Sequence, residues 1–408
     1  MGANKHKIIN DPIYGFVTLP SALIYDLINH PYFQRLRYIK QLGLTHLVYP
    51  GALHTRFHHA IGAMHLMQEA LQNLQLKGVS ISPEELEATL AAILLHDIGH
   101  GPFSHALEHS LVDGISHEHL SGLFMNRLDQ FFKGRLKLCY KIFNNTYSKK
   151  PFLHQLVSSQ LDMDRLDYLK RDSFFTGVSE GVISSDRIIK MLQVKQGKLV
   201  VEHKAIYSIE KFLVARRLMY WQVYFHKTVV GAEMLLVNIL KRAKWLSQNN
   251  VTLFATPALE LFLKNNFNLA AFKQNTELLE VFAQLDDHDV MTAVKVWKNH
   301  SDRVLSLLCS RLLNRSLLKV DVLTQAPEPA LIKLKQKHIA QTFKIDAKDA
   351  GYLVQVHPIN NHAYRADSFN INVLYTDGTL KDITEASDLL NLKSLSKTVQ
   401  KYFYCYPK

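Results

Sequence analysis

Histidines are concentrated in two parts of the chain, and this concentration is the first sign of chemistry. The sequence has 21 histidines, and the two groups contain His54, His58, His59, His65, His96, His100, His105, His109, His117 and His119. A buried imidazole needs partners for both ring nitrogens, so a hydrophobic core does not collect imidazoles without a polar or metallic use. The density therefore favours a metal site or a site of proton transfer.

The adjacent pair His96-Asp97 offers an imidazole and a carboxylate where a hydrophobic helix is expected to end, just before Gly99. Two adjacent ligands cannot face one ion along a continuing helix, because successive residues differ by about 100°. A helix that ends at the pair removes this difficulty. His59 can supply a second imidazole and Asp164 a second carboxylate. Such a set leaves positions for water and an anionic oxygen in six-coordinate geometry, so it indicates a hydrolytic metal site.

Asp164, Tyr168 and Asp172 recur at i, i+4 and i+8 in the segment LDMDRLDYLKRD, so they share one helix face. The same pattern is common on a solvated helix, and this segment alone does not choose between a site and a surface. A cluster of aromatic side chains, taken by itself, is more typical of a packed core. This aromatic cluster comprises Tyr220, Trp221, Tyr224 and Phe225.

Successive amphipathic helices carry these residues from about residue 20 to residue 320. Ser82, Pro83 and Glu85 mark the start of the helix that ends at His96-Asp97, because they form a capping box with proline at the first position. Helices are also expected over residues 57 to 74 and 152 to 171. The chain has only 17 glycines and 12 prolines, too few for many tight turns between strands. The sequence therefore predicts a mainly α fold.

The C-terminal part differs in pattern from the helical body. Two prolines interrupt residues 324 to 329, so we expect a helical domain over residues 1–323 and a small α+β subdomain over residues 324–408. Within the subdomain, residues 370 to 383 predict a hairpin around Asp377-Gly378. A closing helix is expected from Ser387 onward. Outside this part, the acidic run from Asp286 to Asp289 is expected to cap a helix that runs to Trp297.

The composition indicates the environment and the kind of partner. The formal net charge is +12, from 48 Lys and Arg against 36 Asp and Glu, which favours an anionic partner such as a nucleotide. Lys333, Lys335 and Lys337 are interpreted first as a solvated face and second as a regulatory patch or one that binds nucleic acid weakly. The three cysteines lie far apart and the chain has neither a signal-peptide core nor an apolar run of 18 residues. We therefore expect a cytoplasmic protein without a membrane partner.

The series His59, His96-Asp97 and Asp164 resembles the H…HD…D signature of the HD superfamily of metal-dependent phosphohydrolases. Further blocks resemble its deoxynucleoside-triphosphate triphosphohydrolase branch: NDPIYG at 10–15, FQRLRYIKQLG at 33–43, YPGALHTRFHHAIG at 49–62, HDIGHGPFSH at 96–105, and residues 162–172. The resemblance covers about residues 8 to 320 and implies a helical HD-domain bundle. We expect no SAM domain of the kind that the human-type member carries. The C-terminal hairpin unit resembles the tail of uncharacterised bacterial relatives.

The resemblance implies roles for the histidines and their neighbours. A divalent ion, iron, manganese, zinc or magnesium, would be held by His59, His96, Asp97 and Asp164. His100, His105 and His117 match a second histidine set that protonates the leaving sugar oxygen or holds a second ion. Glu108 stands where close relatives have the shorter Asp, which partners the catalytic histidine.

The same resemblance implies contacts with a substrate. Arg56, Arg165 and Arg216 match cations that clamp a triphosphate, and guanidinium forks suit phosphate oxygens. Tyr168 resembles a hydroxyl that contacts phosphate, and Leu42 would lie under the sugar. The remaining matches are Gln41 and Asp172 at the sugar 3′-hydroxyl, Tyr224 against the 2′ position, and Phe225 in place of a polar residue near the base.

A regulatory site is implied less completely. Asn10, Gln34 and Arg37 resemble part of a nucleotide site between subunits, so we expect a homo-oligomer, a dimer or a tetramer. Asn29 replaces an acidic residue that recognises guanine there. An amide can accept a hydrogen bond but carries no charge, and guanine-specific activation is therefore not expected.

Three functions remain open at this stage. The leading one is a dNTP triphosphohydrolase that releases deoxynucleoside and tripolyphosphate. The second is an HD phosphohydrolase for a nucleoside monophosphate, a cyclic dinucleotide or an alarmone, because the metal ligands are common to all of these. The third is a nucleotide- or nucleic-acid-binding regulator with little turnover, which the full ligand set disfavours. The native metal, the preferred base and the biological purpose, dNTP-pool control or phage defence, are not determined by the sequence.

Overall fold

Helices make up most of the chain, which confirms the predicted mainly α class. The computed structural model describes residues 7–103, 110–112, 114–361, 370–388 and 399–408. The α-helices in this part are α1 Ala22–Asn29, α2 Pro31–Gln34, α3 Arg56–Leu76, α4 Pro83–Leu95, α5 His117–Phe131, α6 Lys137–Phe143, α7 Pro151–Val157, α8 Met163–Thr176, α9 Ser185–Met191, α10 Ile206–Met219, α11 Lys227–Gln248, α12 Pro257–Lys264, α13 Leu269–Gln274, α14 Thr276–Phe282, α15 Asp287–Trp297, α16 Arg303–Leu313, α17 Pro329–Phe343 and α18 Ile383–Ala386. Short 3₁₀ turns cover 35–38, 45–47, 179–181, 203–205 and 349–352, and a π-helical turn covers 220–224.

Helix α3 is the centre of the helical body, because it packs against both α4 and α8. Its inner face contributes Ala60, Ala63 and Met64 to the core, and all three are fully buried. Helix α4 begins as predicted: Ser82 Oγ accepts from the Glu85 amide at 3.1 Å, and Glu85 Oε2 accepts from the Ser82 amide at 2.8 Å. The central helices therefore meet at defined ends, and those ends carry the candidate site.

The single helix expected over residues 152 to 171 is wrong, because the structure has two helices, α7 and α8, separated at Ser158. Asp162 is the physical reason. Its carboxylate accepts from the amide of Ser159 at 2.7 Å and from the amide of Arg165 at 2.8 Å, so it caps a new helix. The break places Asp164 in the first turn of α8.

Within the described ranges, three small sheets accompany the helices. The strands are β1 Ile8–Asp11, β2 Gly15–Thr18, β3 Leu192–Lys195, β4 Lys198–Glu202, β5 Lys319–Leu323, β6 Gln355–Asn361, β7 Asn372–Leu374, β8 Leu380–Asp382 and β9 Val399–Tyr406. β1 and β2 form an antiparallel hairpin, and the larger sheets have the orders β3-β4-β7-β8 and β5-β9-β6. The antiparallel pairing of β7 with β8 confirms the predicted C-terminal hairpin.

The closing helix expected from Ser387 is wrong over residues 399–406, which form β9. Phe403 and Cys405 are buried while Tyr402, Tyr404 and Tyr406 are half-buried, the alternation of a strand. The domain division at residue 324 stays a prediction. Both larger sheets contain strands from each side of it, since β4 pairs with β7 and β5 pairs with β9.

Two further features bear on the earlier expectations. Asp286 caps α15 as predicted, because its Oδ1 accepts from the His288 amide at 2.7 Å. Among the described residues no single helix is long and apolar enough to cross a membrane, and the segments His203–Tyr224 and Lys227–Gln248, bent by 58°, meet that criterion only together.

Candidate metal centre and substrate pocket

Three helix ends bring the four predicted metal ligands together. His59 lies in the first turn of α3, His96 and Asp97 follow the last residue of α4, and Asp164 lies in the first turn of α8. Asp164 Oδ1 is 3.1 Å from His59 Nε2 and 3.5 Å from His96 Nε2, and the two Nε2 atoms are 3.4 Å apart. Asp97 Oδ1 is 3.4 Å from His96 Nε2.

The two imidazoles are held from behind in a way that fits a metal ion. Asp167 Oδ2 lies 2.8 Å from His59 Nδ1, and the carbonyl oxygen of Ile93 lies 2.6 Å from His96 Nδ1. A hydrogen bond at Nδ1 leaves Nε2 as the ligand atom, and both Nε2 atoms face the carboxylates. His59, His96 and Asp164 place two imidazole nitrogens and one carboxylate oxygen close enough together to hold a divalent ion. Asp97 adds a second carboxylate at the edge of this group, 3.4 Å from His96 Nε2, and also groups with His100 and His117.

Ser121 of α5 holds the turn that carries His96. Its hydroxyl donates to the His96 carbonyl at 2.7 Å and accepts from the Gly99 amide at 2.9 Å. A Cβ at Gly99 would lie 2.2 Å from the His117 carbonyl oxygen, so the turn can approach α5 only with glycine there. The turn after α4 is thus packed into place.

Electrostatics make this cluster attractive to positive charge. Burial lowers the pKa of His59, but the hydrogen bonds and charges of Asp164 and Asp167 outweigh it and raise the pKa to about 10. Burial also lowers the pKa of His96, but the charges of Asp97 and Asp164 outweigh burial, and the pKa is raised. The pKa of Asp164 is held well below its usual range by the two histidines, against the cost of burial. A cation is therefore strongly favoured between these groups.

A second cluster adjoins the first through Asp97. His100 Nε2 is 3.4 Å from Asp97 Oδ1, and the rings of His100 and His117 stack with centroids 3.8 Å apart. Burial and the nearby Arg56 guanidinium lower the pKa of His100 well below its usual range. Arg56 also forms an ion pair with Asp97. The other two predicted members, His105 and Glu108, lie outside the described residues.

Two of the three predicted phosphate-binding cations, Arg165 and Arg216, act on the Tyr168 hydroxyl. Burial, together with Tyr220, raises the pKa of Tyr168 above its usual range. Arg216 and Arg165 act in the opposite direction, so both guanidinium groups lie within electrostatic range of the Tyr168 hydroxyl. Arg165 pairs with Asp162, and Arg216 donates to Gln160 at 3.2 Å. Of the three predicted cations, Arg56 therefore lies at Asp97, and Arg165 and Arg216 act electrostatically on Tyr168.

The predicted sugar-binding residues meet around His54. Asp172 Oδ1 is 2.7 Å from His54 Nε2, and Asp172 Oδ2 accepts from the Tyr224 hydroxyl at 2.8 Å. The backbone amide of Gln41 donates to the backbone carbonyl of His54 at 3.0 Å. Among the described residues Gln41 Oε1 is buried without a hydrogen-bond partner, so it is available to a ligand. Leu42 is half-buried against the core.

The remaining predicted residues are Phe225 and the three residues of the predicted regulatory site. Phe225 packs against Trp221 and Phe403, with ring centroids 5.8 and 6.0 Å away, and so belongs to an aromatic layer under β9. Arg37 donates to Gln34 Oε1 at 2.8 Å, which brings two of the three predicted regulatory residues together. Asn10 lies on β1, where it pairs with Phe16.

Sequence reasoning missed three residues behind the metal cluster: Asp167, Arg171 and Asp11. Arg171 donates to Asp167 through Nε at 2.9 Å and through Nη2 at 3.0 Å. Its Nη1 donates to Asp11 at 2.8 Å. The i,i+4 spacing of Asp167 and Arg171 is a signal that the sequence contained. Asp11 had no comparable signal, since it is distant in sequence.

Comparison with known proteins defines the class. Residues 56–169 match the HD domain and residues 183–254 match the HD associated region. The chain is similar to a phosphohydrolase from Bacteroides thetaiotaomicron, with 52% identity, a TM-score of 0.96, and coverage of 99% of this chain and 100% of that one. It is also 30% identical to the uncharacterized protein YwfO of Bacillus subtilis over 99% of this chain and 93% of YwfO. The chain belongs to the family of HD-domain phosphohydrolases.

A third similarity is narrower. The deoxynucleoside triphosphate triphosphohydrolase SAMHD1 homolog of Dictyostelium discoideum is 32% identical over 58% of this chain, which spans 49% of that relative. The chain thus covers about half the length of that triphosphohydrolase.

Proposed function

We propose that this chain is a metal-dependent dNTP triphosphohydrolase that cleaves a dNTP to deoxynucleoside and inorganic tripolyphosphate. The observation that supports it is the position of Tyr168 between two groups. Its ring is 6.5 Å from that of His59 at the metal cluster and 6.2 Å from that of Tyr224 at the Asp172 carboxylate. A phosphate group and a deoxyribose could therefore bind on either side of one tyrosine.

A divalent ion, Fe, Mn or Zn with or without Mg, would be held by His59, His96, Asp97 and Asp164 and would supply Lewis-acid polarisation of a phosphoryl group. Arg165, Arg216 and Arg56 bind the polyphosphate, because guanidinium groups suit its oxygens. The charge of the polyphosphate stabilises a proton on His100 in the complex. Water attacks the α-phosphorus as the bond between phosphorus and the sugar oxygen breaks, and His100, stacked on His117, gives its proton to that leaving oxygen.

Asp172 and Tyr224 select the sugar in this proposal. The carboxylate is held by His54 on one side and by the tyrosine hydroxyl on the other, so a 3′-hydroxyl has a fixed acceptor beside it. The buried Gln41 Oε1 offers a second acceptor. The Tyr224 ring fills the space next to the 2′ carbon and disfavours ribose.

The proposal extends to assembly and compartment. We propose a homo-oligomer, a dimer or a tetramer, with the exposed Gln34–Arg37 pair and the hairpin carrying Asn10 as one surface of contact; Phe16 of that hairpin is 70% exposed. Sedimentation with and without nucleotides tests this, and monomer under both conditions contradicts it.

The cysteines at 139, 309 and 405 are free and buried, which supports a reducing compartment such as the cytoplasm.

The deciding experiment incubates metal-loaded protein with each dNTP and rNTP, singly and in mixtures, and resolves the products by phosphorus NMR. Tripolyphosphate from dNTPs and not from rNTPs is expected. Activity only in mixtures would add an activator site. Phosphate or pyrophosphate as product would assign the chain to another HD phosphohydrolase activity, and no product would favour a nucleotide- or nucleic-acid-binding regulator.

A further inference from the structure

A chain of buried charges joins the N-terminal hairpin to a metal ligand. Asp11, at the end of β1, pairs with Arg171 of α8; Arg171 pairs with Asp167, and Asp167 contacts His59. The side chains of Asp167 and Arg171 are fully buried and that of Asp11 is 2% exposed. The hairpin thus reaches the metal cluster through two salt bridges that exclude water.

Arg171 holds the Asp167 carboxylate at both oxygens. Nη2 donates to Oδ1 at 3.0 Å and Nε donates to Oδ2 at 2.9 Å, while the same Oδ2 lies 2.8 Å from His59 Nδ1. A bidentate fork of this kind fixes the plane of a carboxylate. Because that plane directs Oδ2 toward His59, it also sets the rotation of the imidazole ring.

Two neighbours leave the Arg171 guanidinium little freedom. A Cβ at Gly62 of α3 would lie 2.1 Å from Arg171 Nη2 and 2.1 Å from Asp167 Oδ1, so the ion pair occupies the space of that missing side chain. The ring of Tyr14, from the turn after β1, lies 5.6 Å from the guanidinium carbon. The fork is therefore enclosed by α3 on one side and by the hairpin on the other.

Asp11 divides its two oxygens between the turn and the bridge. Oδ1 accepts from the amides of Ile13 and Tyr14 at 2.9 and 3.1 Å, which shapes the turn between β1 and β2. Oδ2 accepts from Arg171 Nη1 at 2.8 Å. A change at Oδ2 alone can therefore weaken the bridge while the turn keeps its acceptor.

We infer that Asp11 and Arg171 are positioning residues for the metal ligand His59. Arg171 fixes the Asp167 carboxylate, and Asp11 fixes the third nitrogen of Arg171, so that the Nε2 atom of His59 is held toward the ion. The inference rests on the proposed metal centre. It gives a role to the NDPIYG segment at residues 10–15. Asp11 of this segment holds the Arg171–Asp167 pair that supports His59, a residue 48 positions further along the chain.

The test measures binding of Co²⁺ alone to the chelator-stripped full chain, by calorimetry and by the visible absorption of the bound ion. Asp11→Asn keeps an oxygen for the turn and replaces Oδ2 with an amide that repels the Arg171 fork. We expect Co²⁺ affinity to fall about 10- to 100-fold, as is usual when the support of a metal ligand is altered. The visible band should also change, because it reports ligand geometry. Arg171→Lys, which keeps the charge and loses the fork, should act in the same direction.

A matched control exists elsewhere in the chain. Arg242 of α11 also bridges two aspartates, with Nη2 2.7 Å from Asp302 and Nη1 3.0 Å from Asp349. Asp349→Asn therefore makes the same chemical change opposite a buried arginine outside the metal cluster. We expect a lower melting temperature with unchanged Co²⁺ affinity and absorption.

The outcomes separate the inference from the proposed function. If Asp11→Asn and Arg171→Lys lower only the melting temperature, as Asp349→Asn does, the inference is overturned and the bridge is structural. If the unaltered chain binds no Co²⁺, the metal centre and the inference both fail. If the unaltered chain binds Co²⁺ and hydrolyses no dNTP while Asp11→Asn binds weakly, the inference stands and the proposed substrate is wrong.

Discussion

The two histidine clusters of this protein share Asp97 but have opposite electrostatic character. In the first, His59 and His96 face Asp164, and carboxylates raise the pKa of both imidazoles. In the second, His100 lies between Asp97 and the stacked His117, and burial together with Arg56 lowers its pKa. The first cluster favours a cation, and the second favours a neutral imidazole beside a guanidinium group.

The difference shows how one short segment can serve two chemical purposes. Residues 96–100 contribute to both clusters, and the assignment of each side chain depends on which helix faces it. Helix α8 brings a carboxylate and its support to one side, while α3 brings Arg56 to the other. Under the proposed function, the first cluster would hold the ion, and His100 would become a proton donor only when the charge of a bound polyphosphate stabilises its proton.

Breaking the first cluster should have the largest effect. His96→Ala or Asp97→Ala should abolish both bound metal and turnover, because each removes a ligand from a set of four. The fold should be largely retained, since both residues follow the end of α4 rather than its core face. Metal analysis, far-UV circular dichroism and nucleotide hydrolysis provide the measurements. Retained metal and activity in both variants would remove the assigned site.

Breaking the second cluster should reduce turnover and spare the metal. His100→Ala should lower kcat about 10²- to 10⁴-fold, the usual contribution of a general acid or base, with metal content unchanged. His65→Ala is the matched control, because His65 contacts Glu69 at 3.5 Å on the outer part of α3. Loss of metal from His100→Ala would show that His100 is a ligand and that the two clusters are one.

Altering the sugar end should have a moderate effect. Tyr224→Phe removes the hydroxyl that donates to Asp172 Oδ2 and leaves that oxygen without this partner. We expect kcat/KM for dNTPs to fall about 10-fold, the equivalent of one hydrogen bond to a charged group. Tyr25→Phe, which removes a hydroxyl on α1, is the control. An equal fall in both variants would mean that Tyr224 has no special contact with the substrate.

The smallest effect on activity is expected at the Arg242 bridge. Asp302→Asn should lower the free energy of unfolding by about 1–3 kcal/mol without changing kcat. The pKa of Asp302 lies below its ordinary 3.8, since Arg242 outweighs the cost of burial. The ionised pair therefore stabilises the fold above pH 3.8, and this contribution is lost as the pH falls through the lowered pKa. Urea unfolding at pH 7 and about pH 3 should show a smaller acid-induced loss in the variant.

Local patterns carried much of the prediction. The capping box at Ser82, the end of α4 before His96 and the cap at Asp286 each depend on groups within a few residues, and the structure has all three. The break before α8 was missed although Asp162, an ordinary capping residue, was present to signal it. The closing strand was missed because residues 402–406 are all aromatic or apolar, and their alternation of buried and half-buried side chains is visible only in the structure.

Contacts between distant elements could not be predicted in the same way. Tyr224 reaches Asp172 across 52 positions, and Arg171 reaches Asp11 across 160. The local sequence around one residue does not predict the position of its partner, because such a hydrogen bond or salt bridge depends on the relative orientation of whole elements. The grouping of the proposed substrate residues was implied by resemblance. The i,i+4 spacing of Asp167 and Arg171 was present in the sequence, but the contact of Arg171 with Asp11 came from the tertiary structure alone.

The sequence by itself determined the ligand types, the starts of the helices that carry them and the mainly α class, because capping and helical period act over a few residues. Tertiary structure decided which nitrogen of each histidine faces the ion and which cluster each side chain joins. It also decided that Asp11 of the N-terminal hairpin contacts Arg171 behind His59. The physical reason is that hydrogen bonds and ion pairs require positions and directions, which are set only when α3, α4 and α8 pack together.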